Sequence, residues 1–110
     1  MKDYNEPCVS LDTATMLQAI GFNWSCFAYY DNNRGELIPA PTLAFAQKYI
    51  RETFNIHITI YPSSQESWMC WTYRITEKGH KLEDGMYGED FETYEEAQEE
   101  AIKQILKKHL

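Results

Sequence analysis

Long apolar runs, paired cysteines and basic clusters are what this chain lacks. No apolar run approaches the roughly 18 to 20 residues that cross a bilayer, and the opening Met1-Lys2-Asp3-Tyr4-Asn5-Glu6-Pro7 has no hydrophobic stretch of the secretory kind. The expectation is a cytoplasmic protein that does not engage membranes. Its three cysteines, Cys8, Cys26 and Cys70, are odd in number and far apart, which argues against a disulfide framework and predicts free thiols in a reducing compartment. No two cysteines lie two to four residues apart and no two histidines one helical turn apart, so the converging donors of a closed metal site are missing. Neither a glycine-flanked nucleophile turn nor a phosphate-binding glycine loop occurs. No metal, cofactor or catalytic activity is expected.

What is present is an aromatic, acidic chain of 110 residues, 15% of them Phe, Trp or Tyr and 44% hydrophobic. That length predicts one domain over residues 1–110, burying about 60 to 70% of its unfolded surface around a single core. The net charge of -7 is uneven. Residues 77–110 hold ten acids against five Lys or Arg, and residues 1–76 hold seven against five. Such a balance repels phosphate backbones, so nucleic acid is not the expected partner.

Ser10 caps a predicted helix over residues 11–20 through Leu11, Ala14, Met16, Leu17 and Ile20, which Gly21 and Phe22 end. Residues 24–30 are rich in aromatics, a turn follows at Asp31-Asn32-Asn33-Arg34-Gly35, and Glu36-Leu37-Ile38 returns, giving a hairpin that Pro39 and Pro41 break. Pro41 suits the first turn of a second helix near residues 42–54, where Leu43, Ala46, Ile50 and Phe54 form the inner stripe and Phe45 and Tyr49 widen it. Asn55 stops it by a left-handed cap.

Ile56, Ile58 and Ile60 alternate with His57, Thr59 and Tyr61 in the clearest strand, which residues 62–66 turn into a second at 68–76. There Met69, Trp71, Tyr73 and Ile75 take the core face. Residues 77–85 form a polar loop, 86–91 a short third strand and 94–109 a last helix with Ala97, Ala101, Ile102, Ile105 and Leu106 inward. Thr93 and Glu96 make its capping box, and Glu99 can pair with Lys103 one turn on. The fold class is α+β, an antiparallel sheet with helices on one face, preceded by a helix and a hairpin of residues 1–40.

From Pro41 onward the helix, three strands and alanine-spaced final helix resemble the double-stranded RNA binding domain (dsRBD). That family grips phosphate with lysines around the first alanine of its last helix. Here the positions flanking Ala97 hold Tyr94, Glu95 and Gln98, so the resemblance carries the dsRBD-like fold and not the ligand. A wider resemblance, to uncharacterised small proteins of bacterial prophages and mobile elements, rests on several segments. They are Val9-Ser10 opening a helix that ends Gly21-Phe22, Tyr29-Tyr30-Asp31-Asn32, Ala40-Pro41-Thr42 before Ala46-Gln47-Lys48-Tyr49-Ile50-Arg51-Glu52, Asn55-Ile56-His57-Ile58, and Tyr94-Glu95-Glu96-Ala97. It implies an accessory protein of a phage without an assigned activity. Residues 88–97 are also similar to an antitoxin type whose strands lead through a turn into a Glu-Glu-Ala helix, by capping chemistry many helices share.

His57, Tyr61, Trp68, Cys70, Thr72 and Arg74 fall on the sheet face away from the helices. Residues 1–40 cover that face, or it is exposed and marks an interface with another protein or a second copy, the possible homodimer, through His57, Tyr61, Trp68, Thr72 and Arg74. Protein binding is the favoured role. Nucleic-acid binding through Lys48, Arg51 and Arg74, and acidic mimicry of nucleic acid by residues 83–100, are the alternatives.

Overall fold

The computed structural model describes residues 7–31, 34–65, 68–77, 86–87 and 90–110, with backbone alone for residues 64, 65, 68, 69, 86 and 87. Its order is α1 (Leu11–Ala19), β1 (Tyr29–Asp31), β2 (Leu37–Pro39), α2 (Leu43–Phe54), β3 (Ile56–Gln65), β4 (Trp68–Glu77), β5 (Met86–Tyr87) and α3 (Tyr94–His109). The fold is α+β, with antiparallel sheets ordered β1-β2 and β3-β4-β5. The expected loop at residues 78–85 lies outside the described residues.

Each helix begins, and α1 and α2 end, where caps dictate. The side chains of Ser10, Thr42 and Thr93 accept from the backbone N–H of Thr13, Phe45 and Glu96, satisfying donors that a first turn leaves open. At Thr93 the Glu96 carboxylate returns the bond to the cap's own N–H, completing the box. Helix α1 stops by a Schellman motif. The Phe22 N–H donates to Leu17 O and the Gly21 N–H to Gln18 O, while Gly21 takes a φ of 96° that a side chain disfavours. Asn55 ends α2 at φ 60°. Pro41 does not enter the first turn of α2; it precedes the cap Thr42, and its carbonyl accepts from Val9 N–H.

Three layers result. Helices α2 and α3 pack on each other and on one face of the β3-β4-β5 sheet, while α1 packs on α3 and β2. The described part of residues 1–40 therefore sits on the helices rather than on the sheet's far face. Leu17, Ile50, Ile102 and Leu106 are fully buried at the centre. Phe22 and Trp24 reach in to meet Tyr49 edge to face at 4.8 and 5.1 Å between ring centroids, a favourable geometry for aromatic pairs. Leu11 is exposed, against expectation, and Thr13 is buried in the α1 core stripe.

Several strand limits differ from the sequence reading. Residues 24–28 alternate in burial but form no strand, because the chain opposite them turns into α2. Pro39 does not break β2: it pairs with Tyr29, and since Ala40 N–H donates toward Ala28, the neighbouring position 39 faces away from β1 and no bond is lost. Nor does Pro62 end β3, which runs on to Gln65 in register with β4. Trp71 exchanges both backbone hydrogen bonds with Phe91 at 2.7 and 2.6 Å, so the pair Pro62↔Trp71 has none between its members. The missing N–H of Pro62 points off the sheet edge, where a proline is harmless.

Candidate functional site

Register assembles the predicted face. His57, Thr59, Tyr61 and Ser63 stand opposite Thr76, Arg74, Thr72 and Cys70, so alternation directs these side chains away from α2 and α3. His57 is exposed, Tyr61 and Arg74 are half-buried, and Thr72 is only 6% exposed. Trp68 holds the register position opposite Gln65, its side chain outside the described residues. The face is mixed and polar at its centre, with Cys70 fully buried and its thiol donating to Ser63 O at 3.3 Å.

His57 and Cys70 do not come together there. His57 aligns with Thr76, six residues along β4 from Cys70, a separation of about 20 Å at strand rise. Burial pushes the Cys70 thiol pKa up, and the Asp90 carboxylate pushes it further by charge and hydrogen bonding; a thiol held protonated is a poor nucleophile. Among the described residues no three His, Cys, Asp or Glu side chains converge as metal donors. His80 lies outside the described residues.

Three acids of α3 are committed to the fold. Glu96 serves the cap of its own helix, and Glu100 accepts from Gln104 Nε2 at 2.6 Å. Glu99 does not turn to Lys103 as expected: it reaches α1, accepting from Ser10 N–H and Oγ, each at 2.9 Å, and from the Thr13 hydroxyl. The cations named for nucleic acid are divided between surfaces. Lys48 and Arg51 are exposed on α2, with Lys48 4.0 Å from Glu52, while Arg74 belongs to the far sheet face.

The surface that sequence reasoning passed over is the hairpin's outer face. Register puts Tyr29 with Pro39 and Asp31 with Leu37, and burial alternation adds Phe27 to the same side. Phe27 is fully exposed, Leu37 is 62% exposed and Tyr29 49%. Beside them opens a cavity of about 250 Å³ lined by Phe27, Phe45, Pro41, Cys8 and Cys26 among others. The signal in the sequence was an aromatic run longer than the inner layer could use.

Among the described residues no helix is long and apolar enough to cross a membrane. No protein-family model, curated protein or solved structure matches the chain.

Proposed function

We propose that this chain is a non-enzymatic protein-binding module, an accessory protein of a phage or mobile element acting in the cytoplasm. The observation that carries the reading is Phe27, a phenyl ring held wholly in water beside exposed Tyr29 and Leu37 and an apolar cavity. Exposed single apolar residues are ordinary, but Phe27 lines a pocket and shares its face of the hairpin with Tyr29 and Leu37, a composition that suits a binding hot spot. The far sheet face, with Tyr61 and Arg74, is the second surface available to a partner. The α2-β3-β4-β5-α3 order supports a dsRBD-like unit whose phosphate-gripping positions hold Tyr94, which packs on Trp71, exposed Glu95, and Gln98, which bonds Gln47.

The test compares the unaltered chain with Phe27→Asp/Leu37→Asp in light scattering and in capture of partners from host lysate. Loss of self-association or of a specific captured protein in the double variant supports the reading. A chain that is monomeric and retains no partner in either form defeats it.

A further inference from the structure

The cavity beside the hairpin has the size and the wall of a socket for one aromatic ring. Residues 25–28, Ala40, Pro41, Thr42 and Phe45 of α2 supply most of that wall. Two of its polar groups are already engaged, since the Thr42 hydroxyl accepts from Phe45 N–H and the Cys26 thiol donates to Trp24 O at 3.6 Å. What remains is a recess of about 250 Å³, larger than the roughly 150 Å³ of apolar space that holds a benzene ring inside a protein. Phe27 belongs to the rim of this recess, yet its own ring stands wholly in water.

Symmetry and charge together indicate what fills it. A two-fold interface uses the same patch on both copies, so a projecting ring can serve one only if its socket lies beside it. Phe27 and the cavity meet that condition, because the ring projects from the rim of the recess it would enter on a second copy. The net charge of -7 makes two copies repel unless they meet where charge is sparse. Residues 22–42 hold Asp31 and Glu36 against Arg34, two acids less one base, for a net of -1. Among the described residues no charged side chain lines the cavity. A basic partner drawn by the chain's acidity finds no carboxylate in this socket to pair with, whereas a second copy brings a phenyl ring that fits it.

Building on the protein-binding reading above, we propose that the partner at this site is a second copy of the chain. The two copies pair about a two-fold axis beside their hairpins, and each Phe27 ring enters the other's cavity against Pro41 and Phe45. Pairing takes two exposed phenyl rings out of water and leaves the far sheet face uninvolved.

The test is sedimentation of the full chain over a wide concentration range, where monomer and dimer should exchange. Phe27→Ala removes the ring, and Ser25→Trp fills the socket from an exposed position on its wall. Each should weaken dimerisation at least tenfold with circular dichroism unchanged. Mixed in equal amounts, the two variants should pair with each other more tightly than either pairs with itself, because one brings the socket and the other the ring. In the unaltered chain, alkylation of Cys26 should slow as concentration rises, a readout that needs no variant to fold. Added salt should not weaken the dimer, since it screens the repulsion between like-charged copies. A dimer that both variants leave intact would overturn the socket. A chain that stays monomeric while capturing a host protein through Phe27 would overturn the pairing and leave the protein-binding reading standing. Phe27→Ala with neither self-association nor capture altered would sink both.

Discussion

The carboxylate of Glu99 caps a helix whose N-cap lies 89 residues before it, accepting from the backbone N–H and the hydroxyl of Ser10. In an ordinary capping box the acid that takes the cap's N–H sits at the third helical position. That position in α1 is Thr13, buried and itself bonded to Glu99. The acid is supplied instead by α3, which joins the N-terminal layer to the rest of the domain and satisfies a hydroxyl that would otherwise be stranded in the core.

Glu99→Ala should therefore cost about 2 to 3 kcal/mol, since removal of a charged acceptor leaves several donors without their partner. Glu95→Ala, on an exposed side chain of the same helix, should stay within about 0.5 kcal/mol. Urea denaturation measures both. A double-mutant cycle with Ser10→Ala should return a coupling of about 0.5 to 3 kcal/mol, as for residues in direct contact.

If the N-terminal layer is part of one cooperative domain, its core must be as costly to damage as that of the sheet. Leu17 is fully buried with Ile50, Ile102 and Leu106 in a single cluster. Leu17→Ala should lose about 2 to 5 kcal/mol and shift one unfolding transition recorded by both tryptophan fluorescence and circular dichroism. Two separated transitions would show that residues 7–40 fold as an independent layer.

Local chemistry was readable where its cause is local. The caps Ser10, Thr42 and Thr93, the stops at Gly21 and Asn55 and the alternation from Ile56 to Ile60 all depend on neighbours within about four residues. So did the gathering of His57, Tyr61, Thr72 and Arg74 on one face, which alternation requires once two strands pair. Pro62 was misread because whether a proline ends a strand depends on which way its missing N–H would point. The register with Trp71 and Phe91 sets that direction. The role of Glu99 could not be read because its partners are 86 and 89 residues distant. The exposure of Phe27 depends on which side of the hairpin faces the core, where α1 packs on β2 and Tyr30 is partly buried against the central cluster. Three-dimensional pairing, rather than propensity, decides each of these.

Asn55 and Gly21 test the stops directly. Both hold positive φ, 60° and 96°, where a Cβ costs about 1 kcal/mol or more. Asn55→Gly should be neutral or stabilising by a few tenths of a kcal/mol, while Asn55→Ala and Gly21→Ala should each lose about 1 kcal/mol. Open space surrounds the position a Cβ would take at Gly21, so a larger loss there would indicate a contact the backbone geometry does not provide.

Cys70 gives the fold a dependence on alkaline pH. Burial first, and then the Asp90 carboxylate, raises its pKa. Its contribution is complete below the ordinary thiol value. Above that value the unfolded chain releases the proton while the folded chain still holds it, so stability falls as pH climbs toward the folded pKa. The urea midpoint of the unaltered chain should drop from neutral pH to a pH above the ordinary thiol range, and Cys70→Ala should show a shallower drop. At neutral pH, iodoacetamide should modify exposed Cys8 well before Cys70.

Among the described residues β3 is an edge of the main sheet, and it carries its own guard. With the odd-numbered residues of β3 bonded to β4, the even-numbered ones direct their backbone groups outward, a template for another strand. Gln47 of α2 donates from Nε2 to Ile58 O at 3.0 Å, and buried Gln98 holds Gln47 in place by donating to its Oε1 at 2.8 Å. Pro62 contributes no donor two positions beyond Ile60. Together they leave Ile60 flanked by an occupied acceptor and an absent donor, too short a run for stable strand addition. Gln47→Ala/Pro62→Val should restore both groups and promote edge-to-edge association, seen as concentration-dependent growth in light scattering with added β signal in circular dichroism. Each single variant should associate less than the pair. A double variant that stays at the size of the unaltered chain would show that the edge is protected by something other than these two residues.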